Sequence, residues 1–415
     1  MAWPRRISWV LTFLAAAGLS GTANAEWIAS WTAAPLRPIA ESFGRSPPTP
    51  GFENRTLRQV VRVSAGGKAV RLRLTNAYGE NRLEIGPARI VLLDKDGAEV
   101  AGTSRVLTFT GLGKASIAKG APLLSDPVEL AVPALSKLAI YLYLPGNTGP
   151  CTCHQTGLDH FDISPPGDFT ATPFKPESSL TIRAFIASVE VDAPEGSGTV
   201  AILADSISDG VGSTPYKDRR WPDMLAERLA ARKGTVWGVA NQGISGNRVL
   251  NDGMGDSALA RLDRDVLAVP GVKAMILFLG VNDLGIGWGT ANTGTPNFFT
   301  RMGGQGVTAQ DIVAGYRQII ERAHGRGIKV YGATIAPWKG AGTWTERGEQ
   351  ERQKVNAWIR TAGAFDAVLD FDKVLADPKD PQKMADGLHM GDFLHGSDAG
   401  YRKLGESIDL GLFAD

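Results

Sequence analysis

The stretch that decides the fold is "AILADSISDG", residues 201–210, in which an apolar run stops at Asp205-Ser206 and a polar turn with a glycine follows. A short run of consecutive apolar residues is typical of a strand with both faces covered, as in a parallel sheet. Strand and helix patterns then alternate to the end of the chain, which predicts a doubly wound α/β domain with a parallel sheet over residues 199–415. The predicted strands are 199–204, 235–241, 273–280, 328–335 and 365–371, and the predicted helices are 221–234, 257–268, 308–327, 351–361 and 397–413.

The chain before this domain has a period of two residues. In one stretch the apolar residues Val70, Leu72 and Leu74 alternate with Arg71 and Arg73. A Gly-Gly turn at 66–67 divides that stretch and predicts a hairpin. Many short strands separated by turn residues predict an antiparallel β-sandwich over residues 26–192, and the composition of residues 193–198 predicts a linker.

The first residues have the features of a targeting segment. Arg5 and Arg6 precede the mostly apolar residues 7–19, and "ANA" at 23–25 matches a small-residue cleavage site. This predicts a signal peptide over residues 1–25 and an exported protein, periplasmic or extracellular, that begins near Glu26. The apolar stretch is shorter than the ~20 residues that a spanning helix needs, and no later stretch qualifies, so we expect no membrane span. An uncleaved anchor is the alternative.

Charge and cysteine content narrow the classes of partner. The sequence has 44 basic and 43 acidic residues, with no basic run of the kind that nucleic-acid binding requires, so we expect no nucleic-acid partner. The two cysteines, Cys151 and Cys153, are separated by one residue, which favours a local disulfide or two free thiols. With His154 they supply too few ligands to argue for a metal, and we predict neither metal nor cofactor.

Polar residues follow the predicted strands of the α/β domain. They occur in "ADSISDG" at 204–210, "NQGISGNR" at 241–248, "GVNDLG" at 280–285 and "DGLHMGDFLHGSD" at 386–398. In an open parallel sheet the ligand crevice lies outside the carboxyl ends of the strands. A hydroxyl, an imidazole, a carboxylate and amide donors at that edge are the groups that acyl transfer requires.

A serine needs a neighbouring base, so the position of each histidine matters. Of the five histidines, His154 and His160 lie in the β-rich half and His324 ends a predicted helix, where a cation suits the helix dipole. The other two lie in the last strand-end loop, and each follows an aspartate by three residues. The pairs are Asp392–His395, which we prefer because it is nearer the last helix, and Asp386–His389, which stays open.

Four sequence blocks carry a family resemblance. "ADSISDG", "NQGISGNR", "GVND" and "DFLHGSDAGY" resemble, in order, the motif blocks of the SGNH (GDSL) hydrolase superfamily over about residues 199–415. "RRWPDMLAERL", "SALARLDRDVL" and "HGRGIKVYGATIAP" resemble a secreted arylesterase/acylhydrolase subgroup, often associated with xylan-degrading esterases, in which a β-rich domain commonly precedes the hydrolase. The resemblance implies a flavodoxin-like hydrolase fold.

The resemblance also implies roles for individual residues. It makes Ser206 the nucleophile and, with Gly246 and Asn282, part of the oxyanion hole; His395 becomes the base and Asp392 orients it. The function expected is a secreted serine esterase that hydrolyses short acyl esters, acetyl foremost, of carbohydrate or aryl alcohols through an acyl-enzyme. The alternatives are a carbohydrate-binding protein with little catalysis and an acyltransferase that uses the same site.

Two positions depart from the family pattern. Ala204 replaces the usual glycine. If this position needed a left-handed backbone, the alanine would be strained, whereas in an extended backbone its methyl group would only narrow the site. Gly396 replaces the usual proline after the histidine, which predicts a less rigid loop. A literal Gly-Asp-Ser ends at Ser257, but no apolar strand precedes it, and N-capping of a helix is its predicted role.

Residues 284–307 are rich in glycine, asparagine and threonine and predict a long loop directly after the Asn282 block. We expect this loop to shape the acyl or leaving-group pocket, with Trp288 and Phe298 or Phe299 as apolar walls. Trp338, after the next strand, is a further candidate. The alternative is that these aromatic side chains pack the loop onto the body of the domain.

Overall fold

The computed structural model describes residues 26–39, 48–289 and 306–414. The predicted signal peptide, Phe298 and Phe299 lie outside the described residues. Among the described residues, every helix is too short or too polar to span a bilayer.

The N-terminal part of the chain is built from antiparallel sheets. One sheet has the strand order β1-β15-β3-β8, with β9 also paired to β3, and a second has the order β13-β12-β2-β10-β5-β6. Short pairs β4-β7 and β11-β14 complete this region. The strands are β1 Glu26–Thr32, β2 Arg55–Arg62, β3 Gly67–Thr75, β4 Leu83–Ile85, β5 Ala88–Leu93, β6 Arg105–Val106, β7 Ala115–Ile117, β8 Pro122–Leu124, β9 Val128–Val132, β10 Lys137–Leu144, β11 Cys153–His154, β12 Phe161–Pro166, β13 Ser178–Leu180, β14 Arg183–Ala184 and β15 Ile186–Ala193.

Alternation along β3 sorts its side chains as the sequence predicts. Val70, Leu72 and Leu74 are fully buried in a core to which both large antiparallel sheets contribute. Arg71 and Arg73 point away from this core, and both pair with the buried carboxylate of Glu190 on β15. The core therefore forms on one face of the strand, while ion pairs satisfy the charged groups on the other face.

The predicted hairpin at 66–67 is wrong. β2 pairs with β10 and β12, whereas β3 pairs with β15, β8 and β9, so the two strands belong to different sheets. A Cβ at Gly66 would lie 2.6 Å from the carbonyl oxygen of Val132, so the glycine serves a close approach of two backbones as the chain crosses between sheets.

The C-terminal part is the predicted α/β domain. Its parallel sheet has the order β17-β16-β18-β19-β20, which is order 2-1-3-4-5 along the chain, with a topological switch point between β16 and β18. The strands are β16 Gly198–Ala204, β17 Trp237–Gly243, β18 Val272–Phe278, β19 Lys329–Ala333 and β20 Ala367–Leu369. The helices are α1 Ser206–Asp209, α2 Trp221–Ala230, α3 Ala258–Leu262, α4 Val281–Gly289, α5 Ala309–His324, α6 Glu346–Thr361, α7 Phe371–Leu375 and α8 Asp398–Ser407, with a π turn at Asp263–Leu267 and a 3-10 turn at Leu410–Phe413.

Local chemistry explains where several helices begin and end. α5 begins with a capping box in which Thr308 and Asp311 bond each other's backbone N–H, as their spacing predicts. α2 ends at Ala230, whereas the sequence predicts that this helix continues to Gly234. The predicted loop from residue 284 is partly wrong, because α4 continues to Gly289, and residues 290–305 of that prediction lie outside the described residues.

The two parts of the chain are joined by more than the linker. The Ala29 backbone N–H on β1 donates to Thr199 Oγ1 on β16 at 3.0 Å and to Pro270 O at 3.1 Å. The Thr32 hydroxyl on β1 also donates to the carbonyl of Asn241 on β17. The first strand of the antiparallel region thus lies directly against the parallel sheet.

Candidate active site

Ser206 lies directly after β16, at the switch point of the parallel sheet. Asp205 caps the short helix α1 through a 3.0 Å bond from the Ile207 N–H, so Ser206 is its first residue. The carbonyl of Ala204 accepts from Ile244 N and from Arg261 Nη2, which fixes the strand end that holds the serine. Ser206 is 5% exposed, so its hydroxyl stands in a largely enclosed position.

The structure brings Ser206, His395 and Asp392 together. His395 Nε2 lies 2.9 Å from Ser206 Oγ, and His395 Nδ1 lies 2.6 Å from Asp392 Oδ2. Asp392 Oδ1 also accepts the backbone N–H groups of Leu394 and His395, so the carboxylate bends back onto its own loop. This is the hydrogen-bond order of a nucleophile, a base and an orienting carboxylate.

The alternative pair, Asp386 and His389, is not joined in this way. His389 Nδ1 accepts the backbone N–H of Gly391 at 3.0 Å, and its ring stacks on Phe393 with centroids 4.4 Å apart. Asp386 is exposed and pairs with Lys383. His389 instead contributes an antiparallel bridge to Gly396, beside the histidine that faces the serine.

The other two predicted donors stand at the ends of the neighbouring strands. Ala204 is in register with Gly243 on β17 and with Phe278 on β18, so Gly246 and Asn282 follow strand ends that flank Ser206. Gly246 has a φ of +75°, which L side chains rarely adopt. Asn282 Nδ2 donates to the carbonyl of Asn247 at 3.1 Å, which links the two donor segments.

The two departures from the family pattern leave the contacts among Ser206, His395 and Asp392 in place. Ala204 is the last residue of β16 and is fully buried in extended backbone, so its methyl causes no left-handed strain. A Cβ at Gly396 would lie 2.7 Å from the ring of Tyr401. The loop that carries Gly396 is also held by a 2.9 Å backbone bond from Met390 N to His395 O.

Two buried residues support the site and were missed by sequence reasoning. Asp283 is fully buried and accepts the backbone N–H groups of Val249 and Leu250, which fastens α4 to the segment after Gly246. Arg261 is also buried, and it donates to the carbonyl of Ala204, the carbonyl of Gln242 and Asn247 Oδ1. Asp283 could have been suspected from its place in "GVND", whereas Arg261 lies inside an ordinary helix pattern and gives no such signal.

The predicted substrate-binding tryptophans need correction. Trp338 is fully buried in the core of the α/β domain, where its ring packs against Arg352, so it offers no face to a crevice. Trp288 is half-buried on α4, and its indole N–H donates to Val307 O at 2.8 Å. Its ring packs toward the core and under Arg347, which agrees with the packing alternative.

Two other expectations have clear outcomes. Ser257 caps α3 by accepting the Ala260 N–H, which confirms its predicted role. Cys151 and Cys153 form a disulfide, the first of the two states that the sequence left open. Among residues 26–39, 48–289 and 306–414, no group of three or more His, Cys, Asp or Glu side chains could hold a metal ion.

Burial and hydrogen bonds act in opposite directions on the pKa values of the carboxyl groups around the serine. Burial, the largest cause, raises the pKa of Asp205 to about 7, against the hydrogen bond from Ile207 and the charge of His395. Burial likewise raises the pKa of Asp283 to about 6. Burial has the same tendency at Asp392, but the hydrogen bonds from His395 and Leu394 prevail and lower its pKa to about 2. Asp392 therefore stays ionised, and able to hold the imidazole, at any neutral pH.

We expect the wild-type protein to lose stability as the pH rises from about 5 to about 8, and we expect this loss to be smaller in Asp205→Asn. The folded pKa of Asp205 lies above the ordinary value, so its stabilising protonation is complete below about pH 4 and is lost as the pH rises through about 7. Asparagine keeps an oxygen for the Ile207 N–H and is a favoured N-cap. Urea unfolding at both pH values should show the difference, on the order of a few kcal/mol. An equal loss in both proteins would contradict the assignment.

Comparison with known proteins finds a family whose model is similar to the part of the chain that holds this site. The model described as the GDSL-like Lipase/Acylhydrolase family matches residues 205–403, a little under half of the chain. The match includes Ser206, Gly246, Asn282, Asp392 and His395. A comparison with curated proteins finds no significant match.

Solved structures similar to about half of this chain include three proteins of related description. A lipase/acylhydrolase from Enterococcus faecalis is 20% identical, with 51% of this chain and 92% of that chain covered and a TM-score of 0.37. A GDSL-like lipase from Bacteroides thetaiotaomicron VPI-5482 is 19% identical, with coverages of 52% and 87% and a TM-score of 0.36. An acetyl xylan esterase is 22% identical, with coverages of 50% and 96% and a TM-score of 0.37. Together with the parallel sheet, the match over residues 205–403 supports an α/β hydrolase domain in the C-terminal part of this chain that is similar to the GDSL-like lipase/acylhydrolase family.

Proposed function

We propose that the protein is an exported serine esterase that removes short acyl groups, acetyl foremost, from esters of carbohydrate or aryl alcohols. The observation that carries the proposal is the continuous hydrogen-bond chain from Ser206 through His395 to Asp392. The substrate class is supported by the sequence resemblance to secreted arylesterases. Export is supported by the basic, apolar N-terminus and by the Cys151–Cys153 disulfide, because such bonds persist in oxidising compartments.

The geometry suits a two-step reaction. Ser206 Oγ attacks the carbonyl carbon of the ester while its proton passes to His395 Nε2, and the ionised Asp392 stabilises the imidazolium that forms. The tetrahedral intermediate collapses as His395 gives that proton to the oxygen of the leaving alcohol, which leaves an acyl-enzyme on Ser206. Water then repeats the sequence: His395 takes its proton, the acid departs, and the proton returns to Ser206.

Three N–H groups are proposed to stabilise the negative charge that develops on the carbonyl oxygen. They are the backbone N–H groups of Ser206 and Gly246 and the side-chain amide of Asn282. The amide of Asn282 carries two N–H bonds, and since one goes to the carbonyl of Asn247, the other is left for the substrate. One such donor typically contributes ~10²–10³ in turnover.

The N-terminal region is proposed to be the predicted β-sandwich, with its two antiparallel sheets facing each other across their shared core. Its inward-facing residues come from both sheets, for example Leu57 on β2 and Val70 on β3. Two packed sheets with alternating inward residues are what a sandwich requires.

The test is hydrolysis by the purified full chain with covalent labelling. We expect p-nitrophenyl acetate to be cleaved with a higher kcat/KM than the octanoate, and acetylated xylan to release acetic acid. A fluorophosphonate should inactivate the enzyme and add its mass to the peptide that contains Ser206. Labelling of another serine, or no hydrolysis of any ester, would contradict the proposal. Transfer of the acetyl group to an added sugar acceptor would favour the acyltransferase alternative.

A further inference from the structure

A buried histidine of the N-terminal region reaches the hydrolase site. His154 lies on β11, directly after the disulfide-bonded Cys153, and its side chain is 8% exposed. Its Nδ1 lies 3.0 Å from the carbonyl oxygen of Ala34, and its Nε2 lies 2.8 Å from Asp209 Oδ1. Both partners are oxygen atoms that can accept a hydrogen bond from the ring, and the contact with Asp209 is an ion pair when the imidazole is protonated.

The partner of this histidine belongs to the nucleophile helix. Asp209 is the last residue of α1, three residues after Ser206. Its second oxygen, Oδ2, accepts the backbone N–H of Ser245 at 2.9 Å and the Ser245 hydroxyl at 2.6 Å. Ser245 immediately precedes Gly246, so one carboxylate joins the nucleophile helix to the segment proposed to supply an oxyanion donor.

The charge of this carboxylate depends on His154. Burial alone would raise the pKa of Asp209, but the charge and hydrogen bond of His154, followed by the Ser245 hydroxyl and the charge of Arg220, hold that pKa below its ordinary value. Arg220 also donates to the carbonyl of Asp209, and Asp205 and Tyr401 are further ionisable groups that interact with Asp209.

We propose that His154 is a positioning residue of the hydrolase site: its ion pair with Asp209 holds α1 and the 244–247 segment in one arrangement, so that Ser206 and Gly246 face the same carbonyl. The inference rests on the proposed function. α1 has only four residues and cannot hold its own orientation, because so short a helix is unstable without tertiary contacts. The N-terminal region is therefore part of the active centre and not an appended module.

The arrangement receives a second tie from the same side. Arg220 Nη2 donates to the carbonyls of Thr156 and Gly157, both at 3.0 Å, while its Nε donates to the carbonyl of Asp209. The segment after β11 is thus bonded to the end of α1 through Arg220 as well as through His154. The contacts through His154 and through Arg220 both reach the end of α1, and together they restrict the rotation of this helix as well as its translation.

The experiment compares His154→Ala and His154→Gln in the full chain with p-nitrophenyl acetate. We expect His154→Ala to lower kcat by about 10²-fold, the loss of one oxyanion donor, while KM changes little because the substrate contacts remain. His154→Gln restores an N–H donor to Asp209 and should recover much of kcat near pH 8. It lacks the cation, so Asp209 should take up a proton at mildly acid pH, and kcat should fall there more steeply than in the wild type.

The matched control is His324→Ala. His324 also pairs with an aspartate, Asp366, at 2.8 Å, but Asp366 precedes β20 and bonds the N–H of Val330 at the start of β19, at the amino ends of the strands. Its loss should leave kcat unchanged. If the His154 variants do not fold, Ser245→Ala removes the hydroxyl bond to Asp209 and the 3.3 Å contact with Thr156 Oγ1, keeps the backbone bond to Asp209, and should lower kcat in the same direction.

The outcomes separate this inference from the proposed function. Folded His154→Ala with wild-type kcat and pH profile would overturn the positioning role, as would unchanged kcat in Ser245→Ala if that variant must be used. Either result leaves the esterase assignment intact as long as the wild type is active and Ser206 is labelled. A wild type that cleaves no ester would instead overturn the proposed function on which the inference rests.

Discussion

Ser206→Ala is expected to lower kcat for p-nitrophenyl acetate by about 10⁴-fold or more, with little change in KM, because the substitution removes the oxygen that is proposed to form the acyl-enzyme. Ser206 Oγ is the atom that faces His395 Nε2 at 2.9 Å. Alanine is smaller and keeps the backbone N–H, so binding of the ester and one oxyanion donor survive. The fluorophosphonate label should disappear together with turnover.

Ser257→Ala provides the control for this prediction. Ser257 belongs to the literal Gly-Asp-Ser of the chain, but it caps α3. Its loss should cost about 1 kcal/mol of stability, as for other N-caps, and should leave turnover unaffected. If Ser257→Ala were inactive and Ser206→Ala active, the nucleophile would be the serine of the literal Gly-Asp-Ser and not the serine that follows β16. The proposed mechanism would then be wrong.

The reason that Ser206 could be chosen over Ser257 is a matter of local pattern. A fully apolar run before Asp205 predicts a buried parallel strand, and a residue that follows such a strand stands at the edge where ligands bind. The same reasoning located the segments that carry Gly246, Asn282 and His395. Each of these inferences needs only the order of residues along one segment and the general geometry of parallel sheets.

Features that depend on pairing between distant segments were not accessible in this way. The Gly-Gly turn at 66–67 has the composition of a hairpin, yet β2 and β3 find partners in different sheets, because strand pairing is decided by the whole core. Trp338 follows a strand, as a pocket residue would, but its ring is fully buried. The local sequence pattern predicts that a residue lies at a sheet edge, but it does not predict the direction of the side chain.

Buried polar contacts were the least predictable part of the site. Arg261 makes its bonds to main-chain carbonyls of β16 and β17, and any helix arginine has the same signature in a sequence. His154 and Asp209 are 55 residues apart and belong to different regions of the chain. Their juxtaposition is a product of how β11 packs on α1, which no spacing rule encodes.

His395→Ala is expected to lower kcat about as much as Ser206→Ala, by about 10⁴-fold, because residues that act as one unit lose their function together. Without the imidazole, nothing accepts the proton of Ser206 Oγ or delivers it to the leaving alcohol. Asp392→Asn keeps the shape of the carboxylate but removes the charge that holds the imidazole, and a loss of ~10⁴-fold has precedent for that change. In the Ser206→Ala background, adding His395→Ala should lower kcat little further.

His389→Ala distinguishes the preferred pair from the alternative that the sequence left open. His389 stands in the same loop, six residues before His395, and its Nδ1 accepts a backbone N–H while its ring packs on Phe393. Its removal should lower kcat far less than the removal of His395, by the few-fold that loosening of the loop allows. Loss of activity confined to His389→Ala would show that Asp386 and His389 serve Ser206 after a rearrangement of the loop. An inactive His395→Ala beside an active His389→Ala would instead establish that the loop presents the base in the arrangement described, with Asp392 as the carboxylate that turns it toward Ser206.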